Sequence, residues 1–287
     1  MKDEDPGNRL GSYLRARREL VSPAQAGIPP GGNRRVPGLR REEVALLAGI
    51  SPDYYLRLER GRDKNPSPQV LEALAGVLRL DDTERTYLLG LTAARPRAPR
   101  RKRPEHVPAR VHELLAHLQI PAFVEGRAFD VLASNPMAVA LSPRLRPGRN
   151  RLRSLLLDPE ERAFQQDWTR STADFVATLR TTIGDDTDDP RFVELVGELA
   201  LSSPRFRTLW ARHDVATLDG GTTTVNHPVV GELRLHRDKL AIGDVILVVY
   251  YPDKGSDSDE KLRLLASLAG TESGDAALDR PTDTPHH

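Results

Sequence analysis

The segment REEVALLAGISPDYYLRLERGR, residues 41–62, constrains the fold more than any other part of the chain. Two helical patterns meet there at Gly49, and glycine readily takes the left-handed conformation that follows a helix. The small side chain of Ala45 allows the two helices to cross closely, and Ile50 places an apolar side chain beneath the turn. A Ser-Pro pair then supplies an N-cap and a first helical residue. The pattern predicts a helix-turn-helix.

The second helix of such a motif enters the major groove of DNA by its N-terminal residues. Helical spacing places Tyr55 and Leu58 on the inward face, so the outward side chains are the candidates for reading bases. Arg57 has the geometry to donate two hydrogen bonds to guanine, and Tyr54 can pack on a thymine methyl group. Asp53 has two possible roles, because it can accept a hydrogen bond from cytosine or cap the helix.

Basic and hydroxyl side chains surround this helix and are expected to contact phosphates, which provides affinity rather than sequence choice. A charged, solvated face is the alternative interpretation of such a cluster. Its position around the turn favours DNA binding. The phosphate candidates are Arg40, Arg41, Ser51, Arg60, Arg62 and Lys64.

The charge is distributed unevenly along the 287 residues, although the net charge is only +1. Residues 1–103 hold 21 Lys and Arg against 13 Asp and Glu, whereas the remainder holds 21 against 28. A basic half has the electrostatics of a partner for a polyanion, and an acidic half does not. The two halves are therefore expected to have different functions.

Periodicity and turn residues divide the chain into four parts. Residues 8–93 contain five helical patterns, and residues 94–108 form a basic, proline-rich linker. Residues 109–270 mix helices with strands, and residues 271–287 form a polar tail without a core-forming pattern, which we expect to be disordered. We predict a multidomain protein: an all-α five-helix domain, then an α+β domain whose small antiparallel sheet carries helices on one side.

The first domain resembles the Xre family of helix-turn-helix proteins, which have the lambda-repressor-like fold. The resemblance rests on LRREEVALLAGISPDYYLRLERGR, followed by SPQVLEALAGVLRLDDTER. In that family a glutamate at the position of Glu59 pairs with an arginine on the first helix. Arg17 and Arg18 both match, and the sequence does not choose between them. The resemblance implies that this pair is structural rather than base-reading.

The insertion GIPPGGNRRVPG departs from the compact phage type and is characteristic of the actinobacterial MmyB-like transcription regulators. The segments PAFVEGRAFDVLASNPMA, WARHDV and NHPVVGELRL also resemble parts of the C-terminal domain of that family. The resemblance covers about residues 8–268. It implies a PAS-like ligand-binding domain, with fatty-acyl or related small hydrophobic ligands.

A ligand pocket in such a domain would be mostly apolar with a few polar groups. The apolar residues on the strands are core residues by default, and only some would line a pocket. Asn135 suits a helix N-cap, and the histidines are more typical of structural residues than of metal ligands. The pocket candidates are Phe123, Val131, Asn135, Trp210, His213, His227, Leu235 and Val248.

Several classes of chemistry lack their sequence signals. The chain has no cysteine, which excludes disulfides and thiolate catalysis, and no catalytic, cofactor or metal-binding motif accompanies the His213-Asp214 pair. We therefore expect no enzyme activity, cofactor or metal. The first residues lack a signal-peptide core and no stretch is long enough to cross a membrane, which predicts a cytoplasmic protein.

The expected partner is a palindromic double-stranded DNA operator bound by a homodimer, because one such domain reads few base pairs. Two alternatives for the second half stay open. It is a dimerisation or protein-interaction domain without a ligand, or a small-molecule enzyme joined to a DNA-binding module.

Overall fold

A computed structural model describes residues 8–29, 36–92, 105–184, 189–217 and 219–278, with side chains described as far as residue 268. Part of the insertion after the first helix and most of the expected linker, residues 94–104, lie outside these ranges. Nothing in the described ranges is a helix long and apolar enough to span a membrane.

The N-terminal region is helical, as predicted. Ser67 and Asp81 cap the last two of its five helices by accepting hydrogen bonds from Val70 N–H and Glu84 N–H, at 3.4 and 2.8 Å. The five helices are α1 (Arg9–Leu20), α2 (Arg41–Leu47), α3 (Pro52–Glu59), α4 (Pro68–Val77) and α5 (Asp82–Gly90).

These helices surround one hydrophobic cluster. Along α1, α3 and α4 its members recur at three- and four-residue spacing, which is how an amphipathic helix buries one face. The buried members from the five helices are Leu10, Tyr13, Leu14, Val44, Ala45, Tyr55, Leu58, Leu71, Leu74, Ala75 and Leu88.

The remainder of the chain combines helices with five strands. The helices are α6 (Ala109–His117), α7 (Pro136–Leu141), α8 (Arg151–Leu157), α9 (Pro159–Phe164), α10 (Trp168–Ile183), α11 (Pro190–Ser202), α12 (Pro204–Trp210) and α13 (Asp257–Leu278), with a 3-10 turn at Pro143–Leu145. The strands are β1 (Ala122–Glu125), β2 (Val131–Ser134), β3 (Gly221–His227), β4 (Gly231–Ile242) and β5 (Val245–Tyr251).

The strands form one antiparallel sheet in the order β2-β1-β5-β4-β3. The expected α+β class is confirmed, but the expectation of helices on one side only is wrong. Phe123 on β1 packs in a cluster with residues of α7 and α13, whereas its neighbours Ala122 and Val124 pack in a second cluster with α6. Because successive side chains of a strand point to opposite faces, both faces of the sheet are covered.

The structure separates into two compact units. One comprises Met1–Arg100 with Ala173–Leu218, and the other comprises Arg101–Thr172 with Asp219–His287. Residues 173–218, which the sequence analysis places in the second domain, group by their contacts with the first unit, and the domain boundaries stay a prediction. One reason is Val215, which is buried in the hydrophobic cluster of the first five helices.

The last helix differs from its expected extent. We expected a disordered tail from residue 271, but α13 continues to Leu278, and residues 279–287 lie outside the described part of the chain. Extending an existing helix adds a backbone hydrogen bond for each residue, whereas starting one is costly. A tail that follows a helix directly can therefore continue it without a core-forming pattern of its own.

Candidate DNA-reading surface and effector domain

The turn between α2 and α3 has the geometry that its sequence predicts. Gly49 has a φ of +69°, its N–H donates to Leu46 O at 3.2 Å, and the N–H of Ile50 donates to Ala45 O at 3.0 Å. These two hydrogen bonds form a Schellman motif, which satisfies the last carbonyl groups of α2. Ala45 is fully buried and Ile50 packs against the core. The turn thus sets the direction of α3.

The start of α3 is capped by Ser51, whose Oγ accepts from the N–H of Tyr54 at 3.1 Å. Pro52 occupies the first helical position. Asp53 is exposed in the first turn, where a carboxylate interacts favourably with the positive end of the helix dipole. Because Ser51 fills the cap, the side chain of Asp53 is available for contacts outside the helix.

The two adjacent tyrosines of α3 point in different directions. Tyr55 is fully buried with Leu58, whereas Tyr54 is half-buried and lies beneath Arg57, whose guanidinium carbon is 5.3 Å from the ring centroid. Partial burial raises the pKa of Tyr54, and the carboxylate of Asp63 acts in the same direction. The Tyr54 hydroxyl therefore stays protonated, and its ring provides a platform for the exposed Arg57 side chain.

Glu59 is the buried charge that connects three helices. Its Oε1 accepts from Arg18 Nε at 2.7 Å, and its Oε2 accepts from Arg41 Nε at 2.6 Å. Arg18 also donates to Leu39 O at 2.9 Å. Of the two arginines that the sequence offered, the structure therefore pairs Arg18 with Glu59. Arg41, a phosphate candidate, is held by Glu59, although 42% of its side chain remains exposed.

Arg17 has other partners than Glu59. It forms ion pairs with Glu84 on α5 and with Asp214, whose Oδ1 lies 3.1 Å from Arg17 Nη1. The difference between the neighbouring arginines follows from the helix, because adjacent side chains point about 100° apart. Arg18 faces α3, and Arg17 faces α5 and the segment after α12.

The close approach of α1 to the end of α3 depends on glycine. A Cβ at Gly11 would lie 2.3 Å from Glu59 O, which is far inside van der Waals contact. Asn8 Nδ2 donates to the same carbonyl at 3.0 Å. Gly61 then ends the helix with a φ of +66°. These contacts hold the C-terminal end of α3 against α1.

The remaining phosphate candidates lie at the two ends of the helix pair. Arg40 precedes α2, and its backbone N–H donates to Glu43 Oε2 at 2.7 Å. The residue is exposed. Arg60, Arg62 and Lys64 are exposed where the chain leaves α3. The exposed basic side chains therefore flank Arg57 on both sides.

Four of the ligand candidates in the second unit lie together. Phe123, Val131, Leu235 and Val248 belong to one buried cluster on a single face of the sheet. Phe123 and Val248 are register partners on β1 and β5, and Val248 is also the partner of Lys239 on β4. An apolar face is thus assembled from four neighbouring strands, β2, β1, β5 and β4.

The two polar candidates of this unit have structural hydrogen bonds. Asn135 Oδ1 accepts from Ala122 N–H and Ala138 N–H, and its Nδ2 donates to two carbonyl groups near the end of α6. His227 is buried, and its Nδ1 accepts from the N–H groups of Val229 and Val230. This fixes the proton on Nε2, which donates to Ala140 O at 3.0 Å.

Trp210 and His213 lie in the other unit, apart from the sheet cluster. The guanidinium of Arg180 lies 4.0 Å from the Trp210 ring centroid, donates to Trp210 O and is 3.1 Å from His213 Nδ1. Phe206 stacks on Trp210, with the two ring centroids 5.3 Å apart. The structure therefore divides the eight candidates between the two units.

Sequence patterns missed a buried cluster of charges on the same sheet face. The Glu125 carboxylate is fully buried and accepts from Arg151 Nη1 at 2.7 Å and from Lys239 Nζ. Arg151 also donates to the Tyr250 hydroxyl at 3.1 Å and lies over the Phe123 ring at 4.9 Å. One signal was present: a glutamate ends the otherwise apolar strand AFVE.

Burial shapes the pKa values in this cluster. Burial disfavours the charged form of Glu125. Arg151 and Lys239 favour that form more strongly, through their charges and their hydrogen bonds, so the pKa of this carboxyl lies below its usual value. Burial lowers the pKa of Lys239 to about 8; the charge of Arg151 acts in the same direction, and Glu125 opposes it. All three side chains are therefore charged at neutral pH, and two cations and one anion lie among the apolar residues of this face.

Two family models match the chain. One describes a helix-turn-helix domain and matches residues 9–88. The other describes the MmyB-like transcription regulator ligand binding domain and matches residues 107–265, more than half of the chain. The chain belongs to the MmyB-like transcription regulators. No curated protein matches it. The family resemblance read from the sequence is confirmed, and this MmyB-like regulator combines a DNA-binding domain with a ligand-binding domain.

A cleft of about 420 Å³ opens in the first unit of this MmyB-like regulator. Residues of α1, α5 and α10 and of the segment that follows α12 line it. Its lining includes Arg9, Thr86, Tyr87, Thr181 and Thr217. No cluster of three potential metal ligands occurs within the described ranges.

Proposed function

We propose that this MmyB-like regulator binds a specific DNA sequence by inserting the N-terminal half of α3 into the major groove. The observation that carries the proposal is the exposed Arg57 side chain supported by the Tyr54 ring, directly after the Gly49 turn. Arg57 reads guanine through two hydrogen bonds. Tyr54 contacts a thymine methyl group, and Asp53 accepts from cytosine N4.

The phosphate contacts come from both ends of the helix pair. Arg40 and Ser51 contact the backbone on one side, and Arg60, Arg62 and Lys64 contact it on the other. Arg41 contributes through the part of its guanidinium that Glu59 does not hold. Each such contact adds affinity that falls as the salt concentration rises.

The protein acts as a homodimer in the cytoplasm on a palindromic operator. A single helix contacts only a few base pairs, and a two-fold protein matches two half-sites about one helical turn apart. A selection of random duplexes by the full chain tests this proposal. An inverted repeat supports it, and recovery of a single half-site or of no motif contradicts it.

The ligand of the second domain has an apolar body and an anionic or strongly polar head, as a fatty-acyl compound has. Phe123, Val131, Leu235 and Val248 contact the body, because together they form the apolar sheet face. Arg151 lies over the Phe123 ring and Lys239 is the register partner of Val248, and these two cations attract the head. Asn135 and His227 support the neighbouring backbone, while Trp210 and His213 act elsewhere.

Binding at this face is best measured by native mass spectrometry of the purified full-length protein, followed by calorimetry with dodecanoate. Dodecylamine has the same body with a positive head and is the matched control. Tighter binding of dodecanoate supports the proposal. Equal binding of the two compounds argues against recognition of the head, and binding of neither argues for a domain that only dimerises or contacts a protein.

We also propose that the protein is not an enzyme. The pair that most invited a catalytic interpretation is His213-Asp214, and each residue has a separate partner. His213 Nδ1 lies 3.1 Å from Arg180 Nη1, and Asp214 pairs with Arg17 and Arg212. A base and its orienting carboxylate would have to contact each other.

A further inference from the structure

The segment that follows α12 reads HDVA, residues 213–216, and belongs to the matched ligand-binding domain. Two of its side chains contact the DNA-binding helices. Asp214 Oδ1 lies 3.1 Å from Nη1 of Arg17 on α1. Val215 is 6% exposed and belongs to the same buried cluster as Tyr13, Leu14 and Leu58. An ion pair and an apolar side chain thus anchor the segment in the core of the other functional domain.

The same segment is held from behind by α10. Arg180 contacts both Trp210 and His213, and the N–H of Ala216 donates to Thr181 Oγ1 at 3.1 Å. His213 has a φ of +55°, which is uncommon for a residue other than glycine and costs free energy unless its surroundings enforce it. The contacts of Arg180 with His213 and Trp210 hold the backbone in this conformation. The segment therefore moves with α10.

The helix that receives the segment also holds the reading helix. Arg17, next to Arg18 on α1, binds Asp214 as well as Glu84 on α5. Arg18 binds Glu59 at the end of α3, and Glu59 in turn binds Arg41 at the start of α2. Because Arg17 and Arg18 lie on the same helix, a displacement of α1 changes both sets of contacts together. Losing one partner of a buried ion pair is costly, since it leaves an uncompensated charge.

We propose that residues 213–216 form a docking segment, through which the ligand-binding domain sets the position of α1 and thereby of the reading helix α3. The 420 Å³ cleft beside Thr181 and Thr217 indicates that the packing here is incomplete. Among the described residues, the Asp214–Arg17 ion pair and the buried Val215 side chain are the contacts that a substitution can remove. The idea that a ligand changes this contact rests on the proposed function, whereas the docking of residues 213–216 onto α1 does not.

The absence of cysteine from the sequence allows a direct test in the full-length protein. Cysteines introduced as Leu20→Cys and Leu201→Cys, both at exposed positions, carry spin labels whose separation is measured by pulsed electron paramagnetic resonance. The test variants are Asp214→Asn and Val215→Ala. The control is Glu194→Gln, which neutralises an exposed carboxylate paired with Arg191 on α11.

We expect one narrow distance distribution in the parent and in Glu194→Gln, and a broader distribution or a second population in both test variants. The same distribution in all proteins would overturn the docking. We also expect both test variants to change DNA affinity by about three- to tenfold, with faster amide exchange in α3. A changed distance with unchanged affinity and exchange would overturn the coupling. If no duplex is selected, the proposed function fails, but the distance and exchange measurements still decide this inference.

Discussion

The Nε atom of Arg18 on α1 donates to the buried Oε1 of Glu59 on α3 at 2.7 Å. Replacing Arg18 with Gln removes one of the two charges that compensate Glu59, and the ion pair with Arg41 remains. Breaking a buried ion pair from one side costs several kcal/mol, so we expect the free energy of unfolding to fall by about 3 kcal/mol. Urea unfolding followed by circular dichroism measures this change.

The matched control is Arg85→Gln, which breaks an exposed pair with Glu72. Exposed pairs contribute about 0–1 kcal/mol, so this variant should unfold almost as the parent does. Equal effects of the two substitutions would show that the Arg18–Glu59 pair contributes no more than a surface pair.

Gly11 is required by the close contact between α1 and α3. In Gly11→Ala the new methyl group would meet Glu59 O at 2.3 Å, so the helices must separate. We expect a loss of about 1–3 kcal/mol in the free energy of unfolding, as for other overpacked contacts. Thermal unfolding of the full chain measures the effect.

Gly76 in α4 provides the comparison, because a Cβ there would have no neighbour within 4 Å. Gly76→Ala should stabilise the protein by about 0.5–1 kcal/mol, since alanine favours the helix. Destabilisation by both substitutions to a similar extent would contradict the role assigned to Gly11.

Lys239 makes the stability depend on pH. Burial lowers its pKa from 10.5 to about 8 in the folded protein, with Arg151 and Arg237 acting in the same direction and Glu125 opposing them. Between these two values the unfolded chain binds more protons, so the contribution of Lys239 to stability rises with pH and is lost as the pH falls through 8. We expect the parent to gain stability relative to Lys239→Met as the pH rises from 7.5 to 10.

Unfolding in urea at several pH values tests this expectation, and Lys254→Met, at an exposed position, is the control. The control should show a stability difference from the parent that does not vary over this range. A pH-independent difference for Lys239→Met as well would mean that Lys239 titrates alike in the folded and unfolded states.

Local patterns predicted much of the fold and of the geometry of α3, the candidate DNA-reading helix. Gly49, the Ser51 cap and the opposite directions of Tyr54 and Tyr55 depend on residues within one or two helical turns, so the sequence contains the required information. The five helices and the α+β class follow from similar short-range patterns. The choice between Arg17 and Arg18 does not, because both lie on α1 and only the packing of distant segments distinguishes them.

The same reason explains what the sequence left unpredicted in the second half. Glu125 is 26 residues from Arg151 and 114 residues from Lys239 along the chain, and no short motif joins such positions. The contact between Arg17 and Asp214 spans 197 residues. Helices on both sides of the sheet were also missed, because a strand of four residues shows little alternation between a buried and an exposed face.

Substitution of Arg57 tests the central claim, which is that α3 reads DNA sequence. The measurement is fluorescence anisotropy of the full chain on its selected duplex and on a duplex with the contacted guanine replaced. For Arg57→Ala we expect a loss of about 1–3 kcal/mol on the selected duplex and no remaining preference between the two. Arg60→Ala, a phosphate candidate, should weaken both complexes equally and reduce the salt dependence. Unchanged affinity and preference in Arg57→Ala would contradict the claim.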